Sequence, residues 1–322
     1  MIMRRINFWM LGIFTISVLL VSCGETVDES LVLAEHMESV DSPIDVTSIN
    51  KLIGAEALHQ LVVAGNPYII DIRGNEYSDI GHIEGAVQVA PTSVIAHLDG
   101  MDVNTYDKIV IVCYTGQTAA YVVSLANMAG YETVSLAFGM SSWNAATAGP
   151  WKSNAKNGYT QLETSANPKG EEGAMPVLET GFETGADILE ARIAEVNSAG
   201  FSDDTKITAT EVWTNPEDFY IVNYWPEENY NLGHIPGAIQ YTPNTSMLTT
   251  ADLQTLPADE TIVVYCYTGQ GSAFLTAYLR VLGYDAKSLL FGINGFATDW
   301  AAANELTSWG DGKISDYPLV TD

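Results

Sequence analysis

Apolar residues along this chain gather in short unbroken runs rather than in strict alternation. Residues 68–72, 86–89, 108–113 (KIVIVC) and 133–137 read as strands buried on both faces. Residues 56–64 and 119–128 read as helices, the second closed by Gly130. Buried strands separated by helices predict a parallel sheet covered on both sides. The same order returns later: strands at 219–222, 238–241, 261–265 and 286–290, and a helix at 272–282. A further helix, 186–197, opens this second half. Between the halves, residues 154–182 are rich in Gly, Ser, Asn, Lys and Glu and read as a linker with little fixed structure.

The returning order is a duplication. Cys-Tyr-Thr-Gly-Gln occurs at Cys113–Gln117 and again at Cys266–Gln270, an offset of 153. Upstream, residues 71–86 align without gaps on residues 223–238 at an offset of 152, each stretch carrying a Gly-His-Ile turn. Downstream, Phe138-Gly139 matches Phe291-Gly292, again at 153. One residue has therefore been inserted between the His and the Cys of the second copy. Two copies with so long a period are duplicated domains, not solenoid repeats. The expected division is 49–153 for the first domain and 183–322 for the second.

The N-terminus is read apart from the fold. Arg4 and Arg5 precede a mostly apolar run, residues 6–21, too short to span a bilayer comfortably and shaped like a signal-peptide core. It ends in Leu20-Val21-Ser22-Cys23-Gly24, which resembles the bacterial lipobox. That resemblance implies a signal peptide at 1–22, diacylation of Cys23 and a tether over 23–48. The protein would then sit in the bacterial cell envelope, held to the membrane by lipid, with Gly24 after the anchor favouring outer-membrane sorting.

With 13 Lys+Arg against 40 Asp+Glu, the net charge is −27. Such a surface repels nucleic acid and anionic lipid and disfavours small anionic substrates. Removing residues 1–22 takes away two arginines and no acid, which deepens the imbalance.

Of three cysteines, the lipid anchor leaves Cys113 and Cys266. Their equivalent places in two separate repeats suit a disulfide poorly, and without a C-x-x-C pair a structural zinc site is unsupported. No metal or cofactor is called for. Each cysteine ends a buried strand, with a helix starting shortly after, at the sheet edge where ligands bind in parallel α/β folds. The loops Tyr114, Thr115, Gly116, Gln117, Thr118 and Tyr267, Thr268, Gly269, Gln270, Gly271 are short, uncharged and glycine-bearing. Their N–H groups, with the positive end of the helix, should favour an anion at sulfur and bring the thiol pKa down toward neutrality.

The upstream motif D-x-R-x-x-E-Y-x-x-G-H-I-x-G-A, followed by C-Y-T-G-Q, resembles the rhodanese family in both copies. The resemblance implies two tandem rhodanese-like α/β domains and sulfane-sulfur transfer through a cysteine persulfide, with Cys113 and Cys266 as nucleophiles and the two loops as cradles. A sulfur donor and a thiol acceptor, small molecule or protein, would be the partners. Asp71, Arg73 and Glu76 would form a buried charge network beneath the first site, and His82 and His234 would be structural.

The second copy departs from the motif: Asn223 replaces Asp71, Trp225 replaces Arg73, and Asn229 stands opposite Tyr77. Neither cysteine loop holds the Arg that phosphate chemistry needs; six positions after the cysteines stand Ala119 and Ser272. Two other functions compete with an exported sulfurtransferase. One is a polysulfide- or chalcogen-binding carrier lipoprotein serving an envelope redox complex; the other is an interaction protein with vestigial sites.

Overall fold

A computed structural model describes residues 27–39 and 51–321. The first half builds one five-stranded sheet from β1 (Leu52–Ile53), β2 (Pro67–Asp71), β3 (Val87–Gln88), β4 (Lys108–Val112) and β5 (Thr133–Leu136). The second builds another from β6 (Lys206–Ile207), β7 (Tyr220–Asn223), β8 (Ile239–Gln240), β9 (Ile262–Tyr265) and β10 (Ala286–Leu289). The strand orders, β1-β5-β4-β2-β3 and β6-β10-β9-β7-β8, are the same, and every pairing is parallel. The branched apolar residues of β4 and β9 are buried on both faces because helices cover both sides.

The helices Gln117–Met128 and Gln270–Val281 follow the two central strands. Both are buried nearly all round, because each packs on its own sheet and on the other helix. Ser124 Oγ, on the first, donates to the Phe274 carbonyl on the second at 2.9 Å. The halves thus meet along the two helices that carry the cysteine loops.

The chain ends cross over. Residues 29–38, within the expected tether, form a helix, Glu29–Glu38, that belongs to the second half's core. Leu33, Ala34 and Met37 are fully buried against Ile188 and Leu189 of the Gly185–Ala199 helix. Glu29 accepts from Thr180 and Gly181 at one end, and Glu38 accepts from Thr249 at the other. The expected signal peptide and the remaining tether, residues 1–26 and 40–48 with Cys23 among them, lie outside the described residues.

The expected linker also differs. Few of its residues are helical, but its backbone is tied to the second half: Lys156 N–H to Asn294 O, Tyr159 N–H to Phe296 O, Gly173 N–H to Gln254 O. Reciprocally, the tail after residue 313 returns to the first half. Ser315 and Tyr317 N–H donate to the Ser142 and Trp143 carbonyls, and Tyr317 stacks on His59 at 3.9 Å. A loop that satisfies its backbone groups on a neighbouring domain needs no regular secondary structure to be fixed. Glycine and polar composition alone therefore misread these stretches.

Candidate active site

Cys113 follows β4 directly, and the helix begins four residues later at Gln117. The intervening chain turns tightly because Gly116 takes a left-handed conformation, φ +82°. That turn aims free helix-end N–H groups at sulfur: Gly116 N and Ala119 N donate to Cys113 Sγ at 3.2 and 3.3 Å. Cys266 is built the same way, with Gly269 at φ +78° and Ser272 N donating to its sulfur at 3.2 Å. Both thiols are free and only 6% exposed.

The carbonyl side of each loop is held by a segment after the next strand. Met140 N–H donates to Cys113 O at 2.8 Å and Ser141 N–H to Tyr114 O at 3.0 Å; Ile293 and Asn294 do the same for Cys266 and Tyr267. Gly139 and Gly292 permit the approach, since a Cβ there would lie 2.4 Å from Cys113 O or 2.2 Å from Cys266 O. Sequence reasoning noted Phe138-Gly139 and Phe291-Gly292 as repeat matches without assigning a role; their recurrence was the available signal. Trp151, which donates to Thr115 O at 3.1 Å, left no such trace.

The loop residues divide by job. Tyr114, Thr115, Thr118, Tyr267 and Gly271 are half-buried around the sulfurs, whereas Thr268 is buried. Gln117 and Gln270, expected in the cradles, instead send their side chains into the other domain: Gln117 Oε1 accepts from Phe291 N at 2.7 Å, and Gln270 Oε1 from Phe138 N at 2.9 Å.

Beneath the first site Asp71 and Arg73 form a fully buried pair. Arg73 Nε lies 2.9 Å and Nη2 2.6 Å from the carboxylate, and Nη2 also donates to Gly81 O at 2.9 Å. The guanidinium carbon sits 5.3 Å from the centre of the Tyr114 ring. Glu76 is not part of this network: it lies exposed on the first turn of the short helix Glu76–Asp79, where no burial demands a partner. In the second site Trp225 occupies the place of the cation and stacks on Tyr267 at 4.9 Å.

Both histidines stand away from sulfur, in the turns that hold the crossed chain ends. His82 stacks on Tyr77 at 3.8 Å and its backbone pairs with Val320 of the tail. His234 stacks on Tyr230 at 3.6 Å and its backbone pairs with Glu163 of the connecting segment. The ungapped alignment is corrected here. Tyr230, not Asn229, is the counterpart of Tyr77, since their hydroxyls donate to the equivalent Ala238 and Ala86 carbonyls. The extra residue before Tyr230 is offset by one fewer before His234, so the net insertion still falls between His234 and Cys266. Asn229 instead donates to the Tyr267 hydroxyl.

The groups around the two sulfurs differ in part. Burial pushes the Cys113 thiol up from its ordinary value; the Ala119, Thr115 and Gly116 N–H groups pull it down, and the Asp71 carboxylate adds to the upward push. Desolvation thus outweighs the loop field, and the expected drop toward neutrality is not found at Cys113. At Cys266 a hydroxyl is present where Ala119 has none. Cys266 Sγ lies 3.7 Å from Ser272 Oγ, which is 2.9 Å from Ser288 Oγ, itself donating to Gly269 O at 3.5 Å.

A family model for the rhodanese-like domain matches residues 54–146 and 208–302. Among curated proteins, a tRNA sulfurtransferase of Desulfurococcus amylolyticus is 33% identical over 104 residues, covering 32% of this chain and 20% of that protein. The chain thus spans only a fifth of that relative's length. Among solved structures, a rhodanese-like domain protein from Staphylococcus aureus is 26% identical with a TM-score of 0.25, covering 28% of this chain and 86% of the other. Thiosulfate sulfurtransferase from Pseudomonas aeruginosa covers 86% of this chain and 71% of its own at 14% identity and a TM-score of 0.27.

Proposed function

This chain belongs to the rhodanese-like domain family, and on that premise we propose that it is a sulfurtransferase carrying sulfane sulfur on cysteine. The observation that carries the reading is the pair of strand-end thiols, each accepting N–H hydrogen bonds from a helix start. The cysteine thiolate attacks the outer sulfur of a donor, the bond from that sulfur to the rest of the donor breaks, and the donor remnant leaves with the electron pair. The persulfide so formed is attacked at its outer sulfur by an acceptor thiolate, which regenerates the cysteine thiolate. Inward N–H groups stabilise negative charge on sulfur at each stage. The curated relatives named as sulfurtransferases support this class of reaction.

The strongly acidic surface favours neutral or protein-borne donors over free dianions. The lipobox-like Cys23 supports an exported protein anchored by lipid to the cell envelope, with outer-membrane sorting. That placement is tested by the mass of the mature N-terminus: a diacylglyceryl group on Cys23, absent from Cys23→Ser, is the expected result.

The activity is tested by intact mass after exposure to thiosulfate, mercaptopyruvate or polysulfide. Each active cysteine should gain about 32 mass units, one sulfur as persulfide. Cys113→Ala and Cys266→Ala assign the gain to a site, and subsequent loss of that mass on adding a thiol shows transfer. A gain that never leaves would mark a carrier instead, and no gain with any donor would end the sulfurtransferase reading.

A further inference from the structure

The first helical residue of each cysteine loop is a glutamine that works on the opposite site. Gln117 and Gln270 are each 2% exposed. Each gives its side-chain oxygen to a backbone N–H across the domain boundary, Phe291 N at 2.7 Å and Phe138 N at 2.9 Å. Those two phenylalanines are not ordinary partners. They hold left-handed backbone conformations, φ +63° and +59°, which bulky residues rarely adopt without outside support.

That support matters because of the residues just downstream. After each phenylalanine comes the close-packed Gly292 or Gly139, and the N–H groups beyond it hold the carbonyls of Cys266 and Tyr267, or of Cys113 and Tyr114. The glutamine of one loop therefore fixes the entry to the segment that braces the other. Room for the exchange comes from the loop glycines. A Cβ on Gly116 would lie 2.2 Å from Gln270 Nε2, and one on Gly269 would lie 2.3 Å from Gln117 Oε1. Gln270 Nε2 also donates to Leu136 O at 3.3 Å, two residues before Phe138, whereas Gln117 Nε2 stays with its own Thr115 at 3.1 Å.

We propose that the two sites are cross-braced, Gln270 acting as a positioning residue for Cys113 and Gln117 for Cys266. Loosening a brace lets the cysteine carbonyl drift and lengthens the N–H contacts to sulfur, so reactivity falls at the site in the other domain. This deepens the sulfurtransferase reading by coupling its two sites, and its test is chosen to be independent of sulfur transfer.

Iodoacetamide alkylation is followed by peptide mass across pH in single-thiol proteins. With Cys266→Ala, Gln270→Met should slow alkylation of Cys113 by roughly tenfold at neutral pH and move its profile upward, while Gln117→Met changes it less. With Cys113→Ala the two glutamine variants should exchange effects at Cys266. Met keeps the volume and removes the acceptor, and the charged group facing Cys113, Asp71, is untouched. Equal effects of both variants at both thiols, effects confined to the home site, or none would overturn the proposal.

Amide exchange on the wild type tests the same bonds without any variant. Slow exchange at Phe138 and Phe291 is expected, and fast exchange at either overturns the brace. If crosswise alkylation holds but no sulfur is ever loaded, only the sulfurtransferase reading fails.

Discussion

Replacing Arg73 with methionine removes the cation from a pair whose two side chains are 1% and 0% exposed, with nearly the same volume left behind. Asp71 then keeps only the residue-73 backbone N–H, at 3.0 Å in the native pair, and loses the short contacts to Nε and Nη2. A buried carboxylate stripped of its partner costs about 3–5 kcal/mol. At about 4–8 °C per kcal/mol for a domain of about 100 residues, the melting midpoint falls on the order of 20 °C. The paired change Asp71→Asn with Arg73→Met should recover most of this, to a net loss of about 1–2 kcal/mol. No charge is then left buried, and the introduced amide still accepts from the backbone N–H.

Thermal and urea unfolding of the wild type, both single variants and the double variant closes the cycle. Alkylation of Cys113 should follow the same order. An unpaired Asp71 pushes that thiol further up, and the Asp71→Asn change removes the push. A double variant no more stable than Arg73→Met would refute the reasoning. It would mean that the pair's contribution lies in packing or in the bond to Gly81, not in charge neutralisation.

Because the Cys266 thiol donates to Ser272 Oγ, a bond only the protonated form makes, Ser272→Ala should speed alkylation of that thiol about fivefold, the loss of roughly one hydrogen bond from the thiol. Ala119→Ser should slow Cys113 by giving its thiol the same acceptor, with Ser135 in the place of Ser288; site-resolved peptide mass reads both. Because burial raises the Cys113 pKa, the thiol keeps its proton to higher pH than a free one. Its alkylation rate in Cys266→Ala should therefore still be climbing above about pH 8.5, and a plateau below about pH 8 would contradict this. Deleting residues 314–322 removes the tail bonds to Ser142, Trp143 and His82 and should open the first domain to proteolysis before the second. Equal protection of both domains would show that the tail contributes little.

Both sheets were legible because their strands are short apolar runs set off by turns and helices, and the duplication doubled every signal. Two-residue strands such as Leu52–Ile53 and Lys206–Ile207 were not legible, since their strand character comes only from pairing at the sheet edge. The Glu29–Glu38 helix was lost for a different reason. Its buried stripe, Leu33, Ala34 and Met37, is narrow, and it is complementary to a surface far along the chain, on the Gly185–Ala199 helix. The Asp71–Arg73 pair was implied by the resemblance carried by the D-x-R motif, and the structure buries the two charges against each other. Glu76, equally charged, sits where water solvates it.

The cysteine loops show where pattern reading reaches its limit. Spelling alone makes Cys113 and Cys266 equivalent, and the N–H contacts at 3.2–3.3 Å agree. Yet the groups that set each sulfur apart come from other elements: a guanidinium or an indole from the strand-end motif, and a methyl or a hydroxyl from the helix. The repeated glutamine has the opposite logic. A residue supporting only its own site can differ between the copies, as Asp71 and Arg73 differ from Asn223 and Trp225. Gln117 and Gln270 meet surroundings that are themselves repeated, a phenylalanine N–H, a glycine and a loop glycine. Each can be replaced only at the expense of the other domain's site. Reciprocal bonding across a near-symmetric boundary gives a physical reason for CYTGQ to persist in two copies whose supports have diverged.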